Sequence, residues 1–385
     1  MNPRDGVEAS DATAQAKRAV HDALAFLDEA AETGATSSLV AFDPSFSSPR
    51  EAAGARAHIQ RRLGVDIGYD LGGDLWAAIC GLPLLPPGRD RLAGHFARLI
   101  ERGRVGRRFR FFAGRNGFPA DTDCTAVAGH ALYERGLIPP GELTAIAEEL
   151  LRAAAPDGGE AAPQGVPTVY WADGAEPHAL PRSRTRDPVV CANVLVVLEE
   201  ARRLGLHGAG AVIGATRRYV LDHLASGAYR GGTRYYPAPE AFLYAASRLA
   251  AGFPELAAPL ARAITERDAA DALNADALNI DALNIDALTT DALTTDALTT
   301  DALTTDALNI ALRGLAAHNI GWRDGRESRL RALLALQAPD GSWPAHPYFK
   351  LGRLPVFFGS PVMSTLFASA AIGVSTAQGG RSDFS

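Results

Sequence analysis

Apolar residues recur every three or four positions through most of the chain, the spacing of one face of an α-helix. Proline or an Asp, Ser or Thr often precedes such segments and glycine often follows them, as at helix starts and ends. No segment alternates convincingly between apolar and polar residues. The pattern predicts an all-α protein of repeated helical hairpins, with helices over 14–31, 87–101, 125–135, 140–154, 188–204, 215–225, 239–251, 327–336 and 361–372.

Residues 271–310 are eight tandem five-residue units, each beginning Asp-Ala-Leu. On an α-helix five residues advance about 500°, so successive leucines lie about 140° apart and form no single apolar face. The period resembles that of pentapeptide-repeat proteins, but Asp stands where their β-helix needs a small inward residue. The last unit runs straight into a helical sequence, as if one native unit had been copied. We therefore expect an insertion, helical or partly disordered, within a single domain spanning 1–385.

Composition narrows the classes of function. The 385 residues are 47% hydrophobic and 21% charged, which is typical of a globular chain with a sizeable core. No apolar stretch reaches the roughly 18 residues that span a bilayer and no signal-peptide pattern opens the chain, so we expect a cytoplasmic protein. The three cysteines lie far apart and form no disulfide framework. The net charge of −6 argues against nucleic acid as a partner.

Several common catalytic motifs are absent from the sequence. Neither lysine follows a glycine as a P-loop requires, and no HExxH or GxSxG motif occurs. The histidines are scattered without the spacing of metal ligands. Asp28, Glu29 and Glu32 share a helical face that could hold Mg²⁺, although a solvated acidic face explains them as well. We predict no cofactor, with Mg²⁺ entering only if the substrate carries a diphosphate.

The most informative stretch is Asp121-Thr-Asp123-Cys124-Thr125-Ala126, where a loop containing proline enters an apolar helix. It resembles the class II terpene cyclases, whose Asp-x-Asp-Asp-Thr-Ala motif, or Asp-Cys-Thr-Ala in the oxidosqualene branch, carries the proton donor. This chain combines the two patterns, since Cys124 replaces the third Asp. The resemblance implies that Asp123 is the acid, that Asp121 supports it, and that Cys124 or Thr125 orients it.

A second motif lies far downstream, where Gln337-Ala-Pro-Asp-Gly341-Ser-Trp343 fits the Gln-x-x-x-Gly-x-Trp repeat of squalene cyclases and prenyltransferases. In that repeat Gln caps neighbouring helix ends and Trp packs over it. Both motifs resemble one superfamily, whose fold is an α/α toroid, a barrel of helical hairpins. The chain has one clear repeat and room for one such domain, whereas most such cyclases have two.

The chemistry implied by the resemblance sets physical demands on the site. Protonating an alkene or epoxide needs an acid that keeps its proton near neutral pH, and two close carboxyls in a poorly hydrated cavity have raised pKa values. A helix N-terminus opposes this effect, because it favours the anion. The cation that forms needs aromatic faces that stabilise it without attacking it.

Residues for the substrate pocket follow from these demands. Aromatic side chains in loops are candidates for the wall, namely Phe112, Phe118, Trp171, Tyr235, Tyr236, Tyr348, Phe357 and Phe358, and Asn193 lies in a second segment typical of toroids. Arg110 and Arg115 could bind a diphosphate or another polar head group. The predicted partner is a small isoprenoid, and peripheral contact with a membrane is compatible with such a substrate.

Three functions remain open from the sequence. We favour a class II terpene cyclase that protonates a linear isoprenoid. A toroid that binds isoprenoids or serves as a scaffold without catalysis is the main alternative. A zinc enzyme similar to the protein prenyltransferases is weaker, because its ligands include Asp-x-Cys, whereas Asp123 and Cys124 are adjacent and Asp121 is three residues from Cys124.

Overall fold

The computed structural model describes residues 3–114, 117–154, 165–176, 178–180, 182–284 and 306–377, with side chains given from residue 12 and not for 273–284. Most of these residues are helical. The helices are α1 (Pro3–Thr33), α2 (Ala55–Leu63), α3 (Trp76–Gly81), α4 (Asp90–Arg102), α5 (Thr122–Glu134), α6 (Pro140–Arg152), α7 (Pro188–Arg203), α8 (Gly210–Ala225), α9 (Pro239–Ser247), α10 (Ala257–Asn284), α11 (Ala307–Asn319), α12 (Arg326–Ala335) and α13 (Pro361–Ala377).

Short strands also occur, so the prediction of an all-α protein was wrong in this respect. They are β1 (Leu39–Ala41), β2 (Arg50–Glu51), β3 (Arg104–Val105), β4 (Arg108–Arg110), β5 (Ala120–Asp121), β6 (Pro347–Lys350) and β7 (Phe357–Gly359). They form two antiparallel sheets, in the orders β2-β1-β7-β6 and β3-β4-β5. Strands of two to four residues are too short to show an alternating pattern in the sequence.

Six helices contact one another in a closed order. Helix α3 packs against α5, α5 against α7, α7 against α9, α9 against α11, α11 against α13, and α13 against α3. Other helices pack against this ring, for example α4 on α3, α6 on α5 and α7, and α1 on α13. The starts of α5 and α7 lie beside each other, since Asn193 near the start of α7 donates to Asp123 in the first turn of α5.

Local sequence explains where the ring helices begin. Asp187 caps α7 by accepting a hydrogen bond from the Val189 amide at 3.0 Å, and Pro188 occupies the first turn. Prolines also open α9 and α13, where a missing N–H costs nothing. These starts match the predicted ones because capping chemistry is local to the sequence.

The repeat Gln337 to Trp343 ties the C-terminal part of the chain to α1. The Gln337 amide donates to the carbonyl oxygens of Ala19, at 2.8 Å, and Gly341, at 3.0 Å. Ala19 lies inside α1, so Gln337 bonds to the middle of a helix and not to a helix end. Trp343 is fully buried, and its indole N–H donates to the Leu333 carbonyl at 2.8 Å.

The ends of the five-residue array are integrated into the helices. Helix α10 continues into the array as far as Asn284, and residues 285–305 lie outside the described part of the chain. Asp271 forms an ion pair with the buried Arg313 of α11. Asp306 caps α11 and accepts a hydrogen bond from the Asn309 amide at 2.9 Å. The first and last units thus contribute aspartates to the folded structure.

Candidate active site

Strand β5 and the start of α5 position the two aspartates of the central motif. Phe109 of β4 pairs with Asp121 of β5, and the Phe109 amide donates to the Thr125 hydroxyl at 2.9 Å. Asp121 caps α5 by accepting from the Cys124 amide at 2.7 Å. Asp123 follows in the first helical turn, so both carboxyls lie at the same end of α5.

Asp123 is buried and its two carboxyl oxygens have different partners. The Asn193 side-chain amide, in α7, donates to Oδ1 at 2.8 Å. The Tyr236 hydroxyl forms a short hydrogen bond with Oδ2. Asp187, at the start of α7, accepts from the Tyr235 amide at 3.3 Å and so ties the tyrosine segment to this region. Three separate segments of the chain therefore meet at one carboxyl.

Burial raises the pKa of both carboxyls above the usual range. The pKa of Asp121 is raised to about 7, first by loss of hydration and then by the negative charge of Asp123, against the hydrogen bond from Cys124. Burial raises the pKa of Asp123 to about 6, although hydrogen bonds from Tyr236 and Asn193 lower it. Because the two groups interact, they titrate as a coupled pair that loses its protons at higher pH than ordinary aspartates do.

The two carboxyls border a cavity of about 490 Å³, which we call the acid cavity. Its wall is largely aromatic, and it is built from Tyr69, Trp76, Phe111, Phe112, Phe118, Tyr170, Tyr235, Tyr236 and Phe349. Several of these rings contact one another edge to face, such as Phe112 and Phe118 with centroids 5.1 Å apart. A volume and lining of this kind fit a largely apolar small molecule.

Basic side chains also border the acid cavity, namely Arg182, Arg234, Lys350 and Arg353. The guanidinium of Arg182 lies 4.6 Å from the ring centroid of Phe118. Within the described chain, Nε and one terminal nitrogen of Arg182, and Nε of Arg234, are buried without a hydrogen-bond partner. The acid on this part of the wall, Asp66, is paired with Arg56 at 2.7 Å. The border therefore carries an excess of positive charge.

The structure brings together many of the predicted site residues. Those on the wall of the acid cavity are Asp121, Asp123, Cys124, Phe112, Phe118, Tyr235 and Tyr236. Asn193 reaches Asp123 from behind and lines a different cavity, as does Tyr348. Thr125 does not line the acid cavity, because its hydroxyl accepts the Phe109 amide.

Other predicted residues lie elsewhere. Trp171 packs against the Arg108 guanidinium and donates to the Glu149 carbonyl at 3.0 Å. Phe358 stacks on Phe349, with centroids 4.3 Å apart, and so stands behind the wall. Phe357 belongs to a separate small core with Ala41 and Phe46. Loop position alone does not distinguish an aromatic residue of the wall from one of the core.

The structure describes one of the two arginines that were predicted to bind a head group. Arg110 does not line the acid cavity, and its guanidinium forms an ion pair with the partly buried Glu176. Glu176 also accepts the Ala120 amide at 2.8 Å, which fixes the loop before the motif. Arg115 lies outside the described residues. Glu176, which neutralises Arg110, lies 66 residues away in the sequence. The spacing of residues in the sequence therefore does not reveal this ion pair.

Sequence reasoning missed most of the remaining wall. Trp76 and Phe111 line the acid cavity, as do Tyr69, Tyr170 and Phe349, together with the four basic residues. The sequence offers one signal for the basic group, the run Arg182-Ser-Arg184-Thr-Arg186 just before α7. The rest of the wall depends on long-range folding, which brings residues 65–67, Leu180, Arg182 and 349–354 together.

No group of three or more His, Cys, Asp or Glu side chains that could hold a metal ion occurs in the part of the chain that the structure describes. Asp28 contacts Arg89 at 3.6 Å and Arg91 at 3.4 Å, and Glu32 also pairs with Arg91. These acids are thus engaged with arginines. Among the described helices, none combines the length and hydropathy needed to cross a membrane.

Comparison with known proteins places this geometry in context. No family model matches the chain. A drimenol cyclase of Aspergillus calidoustus is 28% identical over 265 residues. The match covers 66% of this chain but only 38% of that enzyme, so the chain spans much less than the full length of this relative.

Solved structures are similar over nearly the whole chain. A protein from Actinoplanes covers 94% of this chain and 99% of its own, with a TM-score of 0.57 and 17% identity. The type II terpene cyclase MstE from Scytonema covers 95% and 99%, with a TM-score of 0.56 and 14% identity. MstE variants have been solved with geranylgeranyl dihydroxybenzoate as substrate and merosterolic acid A as product. The chain has a fold similar to that of the class II terpene cyclases.

Proposed function

We propose that this chain is a class II terpene cyclase in which the carboxyl of Asp123 protonates a linear isoprenoid held in the acid cavity. The proton moves from the carboxyl to an alkene carbon or epoxide oxygen. For an alkene, its π electrons form the new C–H bond and leave a cation on the neighbouring carbon. Internal alkenes then attack this cation and close rings, until a proton is lost to end the reaction. The observation that carries the proposal is a buried carboxyl pair at an aromatic cavity.

The carboxyl pair supports the acid step. Loss of hydration keeps the pKa values of Asp121 and Asp123 near 7 and 6, so a proton is available at physiological pH. Asp123 is the better donor, because Asp121 is committed to capping α5 through its bond to the Cys124 amide. Proton transfer from a carboxyl requires neither a metal ion nor an organic cofactor.

The aromatic wall supports the steps that follow. Ring faces attract a cation by about 0.5 to 2 kcal/mol each and offer no nucleophile that would capture it. Trp76, Phe111 and Tyr236 lie on the same side of the cavity, since Trp76 stacks on Phe111 at 6.0 Å between centroids and contacts Tyr236 at 6.5 Å. They place aromatic surface beside the acid, where the first cation would form.

The basic border supports an isoprenoid with an anionic head group. Buried guanidinium N–H groups without partners favour a ligand that brings acceptors, and phosphate or carboxylate oxygens match them. Arg182→Met and Arg234→Met should raise KM for farnesyl or geranylgeranyl diphosphate while leaving a neutral substrate such as squalene unaffected. The control is Arg331→Met, which removes an exposed arginine of α12 that does not line the cavity.

The experiment that tests the function is incubation of purified protein with linear isoprenoids, followed by mass spectrometry of the products. The panel contains farnesyl and geranylgeranyl diphosphate, squalene, oxidosqualene, a prenylated phenol and geranylgeranyl dihydroxybenzoate. We expect a cyclic product from the wild type that Asp123→Asn does not form. The matched control is Asp306→Asn, which changes another largely buried aspartate with a raised pKa that caps α11 away from the cavity.

Two outcomes of that experiment would contradict the proposal. Unchanged product formation by a folded Asp123→Asn variant would remove the acid role. Binding of isoprenoids without any product would favour the alternative of a toroid that binds isoprenoids without catalysis.

Further parts of the proposal concern the architecture and location. The closed order of contacts from α3 to α13 supports an α/α toroid within one domain. We treat the array at 271–310 as an insertion into that toroid, because the helices on either side contact each other directly. A cytoplasmic location and peripheral contact with a membrane stay predictions from the sequence.

A further inference from the structure

A second cavity of about 450 Å³ lies at the opposite ends of the helices that border the acid cavity. The acid cavity is bordered by the N-terminal ends of α5 and α7, whereas the second cavity is bordered by their later turns and by the end of α9. Trp76 is the residue that both linings share. The walls of the second cavity are rich in polar groups, among them His130, Asn193 and Arg248.

A chain of hydrogen bonds runs from the second cavity to the carboxyl of Asp123. Arg248 in the second cavity donates from one terminal nitrogen to Asn193 Oδ1 at 3.2 Å. Its other terminal nitrogen lies 3.4 Å from His130 Nδ1. Asn193 in turn donates from Nδ2 to Asp123 Oδ1 at 2.8 Å. Among the described residues Arg248 has no carboxylate within ion-pair distance, so its hydrogen bonds go to neutral acceptors and a histidine.

Arg248 determines which way the Asn193 amide faces. A guanidinium has only donors, so the atom of Asn193 that faces it must be the carbonyl oxygen. The amide nitrogen then necessarily faces Asp123. Without Arg248 the amide could turn and present its oxygen to the carboxyl instead, since the two ends are almost the same shape.

The orientation of Asn193 determines where the carboxyl proton sits. Because the N–H of Asn193 points at Oδ1 of Asp123, Oδ1 can act only as a hydrogen-bond acceptor there. In the protonated acid, Oδ1 is therefore the carbonyl oxygen. The proton is then on Oδ2, beside Tyr236, whose hydroxyl can accept from the acid and donate to the anion. Tyr236 lines the acid cavity, whereas Asn193 does not.

We propose that Arg248 and Asn193 are positioning residues which, acting from the second cavity, hold the transferable proton of Asp123 on Oδ2, facing the acid cavity. Only the kinetic effect expected from this proposal rests on the proposed function. The position of the proton is a property of the protein without substrate. Neither residue touches the substrate cavity, so their loss acts on the proton transfer and not on binding of the isoprenoid.

The first test is infrared spectroscopy of the C=O stretch of the protonated carboxyl at pH 5 and without substrate. A hydrogen bond to a carbonyl oxygen lowers this frequency. The Asp123 band is isolated by subtracting the spectrum of the same protein with the additional change Asp123→Asn. We expect the band to move to higher frequency in Asn193→Leu and in Arg248→Met, and no further in the double variant. Arg248→Lys, which keeps a donor, should restore part of the wild-type frequency.

The second test is kinetic and uses whichever substrate of the panel gives a product. Arg248→Met and Asn193→Leu should each lower kcat about tenfold or more while KM stays within about twofold. The double variant should be no slower than the slower single variant, because one residue acts through the other. Circular dichroism and thermal unfolding check that each variant folds, and Arg248→Leu, which also removes the donors, replaces Arg248→Met if that variant does not.

The outcomes separate this proposal from the proposed function. An Asp123 band that stays at one frequency in all variants, or kcat losses that multiply in the double variant, would overturn the positioning role. If the wild type forms no product from any isoprenoid, the proposed function fails. The infrared shifts would then still decide where the proton sits.

Discussion

Replacing Asp121 by asparagine should stabilise the protein at alkaline pH. The pKa of Asp121 rises from 3.8 to about 7 because the carboxyl is buried and lies near Asp123. A folded-state pKa above the unfolded value gives stability that is present below about pH 4 and is lost as the pH rises through about 7. The shift corresponds to about 4 kcal/mol at pH 8. Asparagine caps a helix as well as aspartate does and keeps an acceptor for the Cys124 amide.

We therefore expect Asp121→Asn to raise the free energy of unfolding by about 2 to 4 kcal/mol at pH 8 and to change it little at pH 4. Urea unfolding followed by circular dichroism at the two pH values measures both numbers. Asp66→Asn is the control of opposite sign, because hydrogen bonds from Arg56 and the Gly68 amide lower the pKa of Asp66 to about 2. An Asp121→Asn variant no more stable than the wild type at pH 8 would refute the claim that burial raises the pKa of Asp121 to about 7.

Three further predictions follow from single features. Turnover should fall as the pH rises through about 6 to 7, where the carboxyl pair loses its protons. Tyr236→Phe should move this fall in a kcat/KM profile to higher pH, because the hydrogen bond from Tyr236 lowers the pKa of Asp123. A profile that rises over this pH range would contradict the acid step. Gly341→Ala should lower the free energy of unfolding by about 1 to 3 kcal/mol in urea, since its φ is +85° and a Cβ would lie 2.5 Å from the Asp22 carbonyl oxygen. Deleting 276–305 should leave the temperature of thermal unfolding near that of the wild type. Asp271→Ala removes an ion pair of the buried Arg313 and should lower the free energy of unfolding by about 2 kcal/mol. Aggregation of the deletion protein would show that the array packs into the core.

The parts of the fold that the sequence predicted well are those set by local chemistry. Helix starts at Pro188, Pro239 and Pro361 follow from proline in a first turn and were predicted at the residue where the structure begins them. The pairing of Asp121 with Asp123 at the start of α5 was also readable, because a cap and the residue two positions later must lie at one helix end.

The parts that the sequence could not predict depend on contacts between distant segments. Arg110 was indistinguishable from Arg182 by sequence, yet one is neutralised by Glu176 and the other lies over Phe118 with unpaired nitrogens. The strands were not predicted because they are very short; β4, which contains Phe109, has only three residues. Whether an aromatic residue in a loop lines the cavity or packs in the core depends on which helices meet behind it. The periodicity of the sequence does not reveal this packing.

The start of α5 resolves a conflict that the sequence leaves open. A helix N-terminus favours a negative charge, whereas an acid catalyst must keep its proton. Burial outweighs the helix end at both carboxyls, because the pKa of the capping Asp121 is raised to about 7 and that of Asp123 to about 6. Asp121 accepts the Cys124 amide and so takes the position where the helix end acts most strongly, while the resolved hydrogen bonds to Asp123 come from the side chains of Asn193 and Tyr236. Loss of hydration therefore keeps both carboxyls of this motif protonated to higher pH than an ordinary aspartate, including the one at the helix cap.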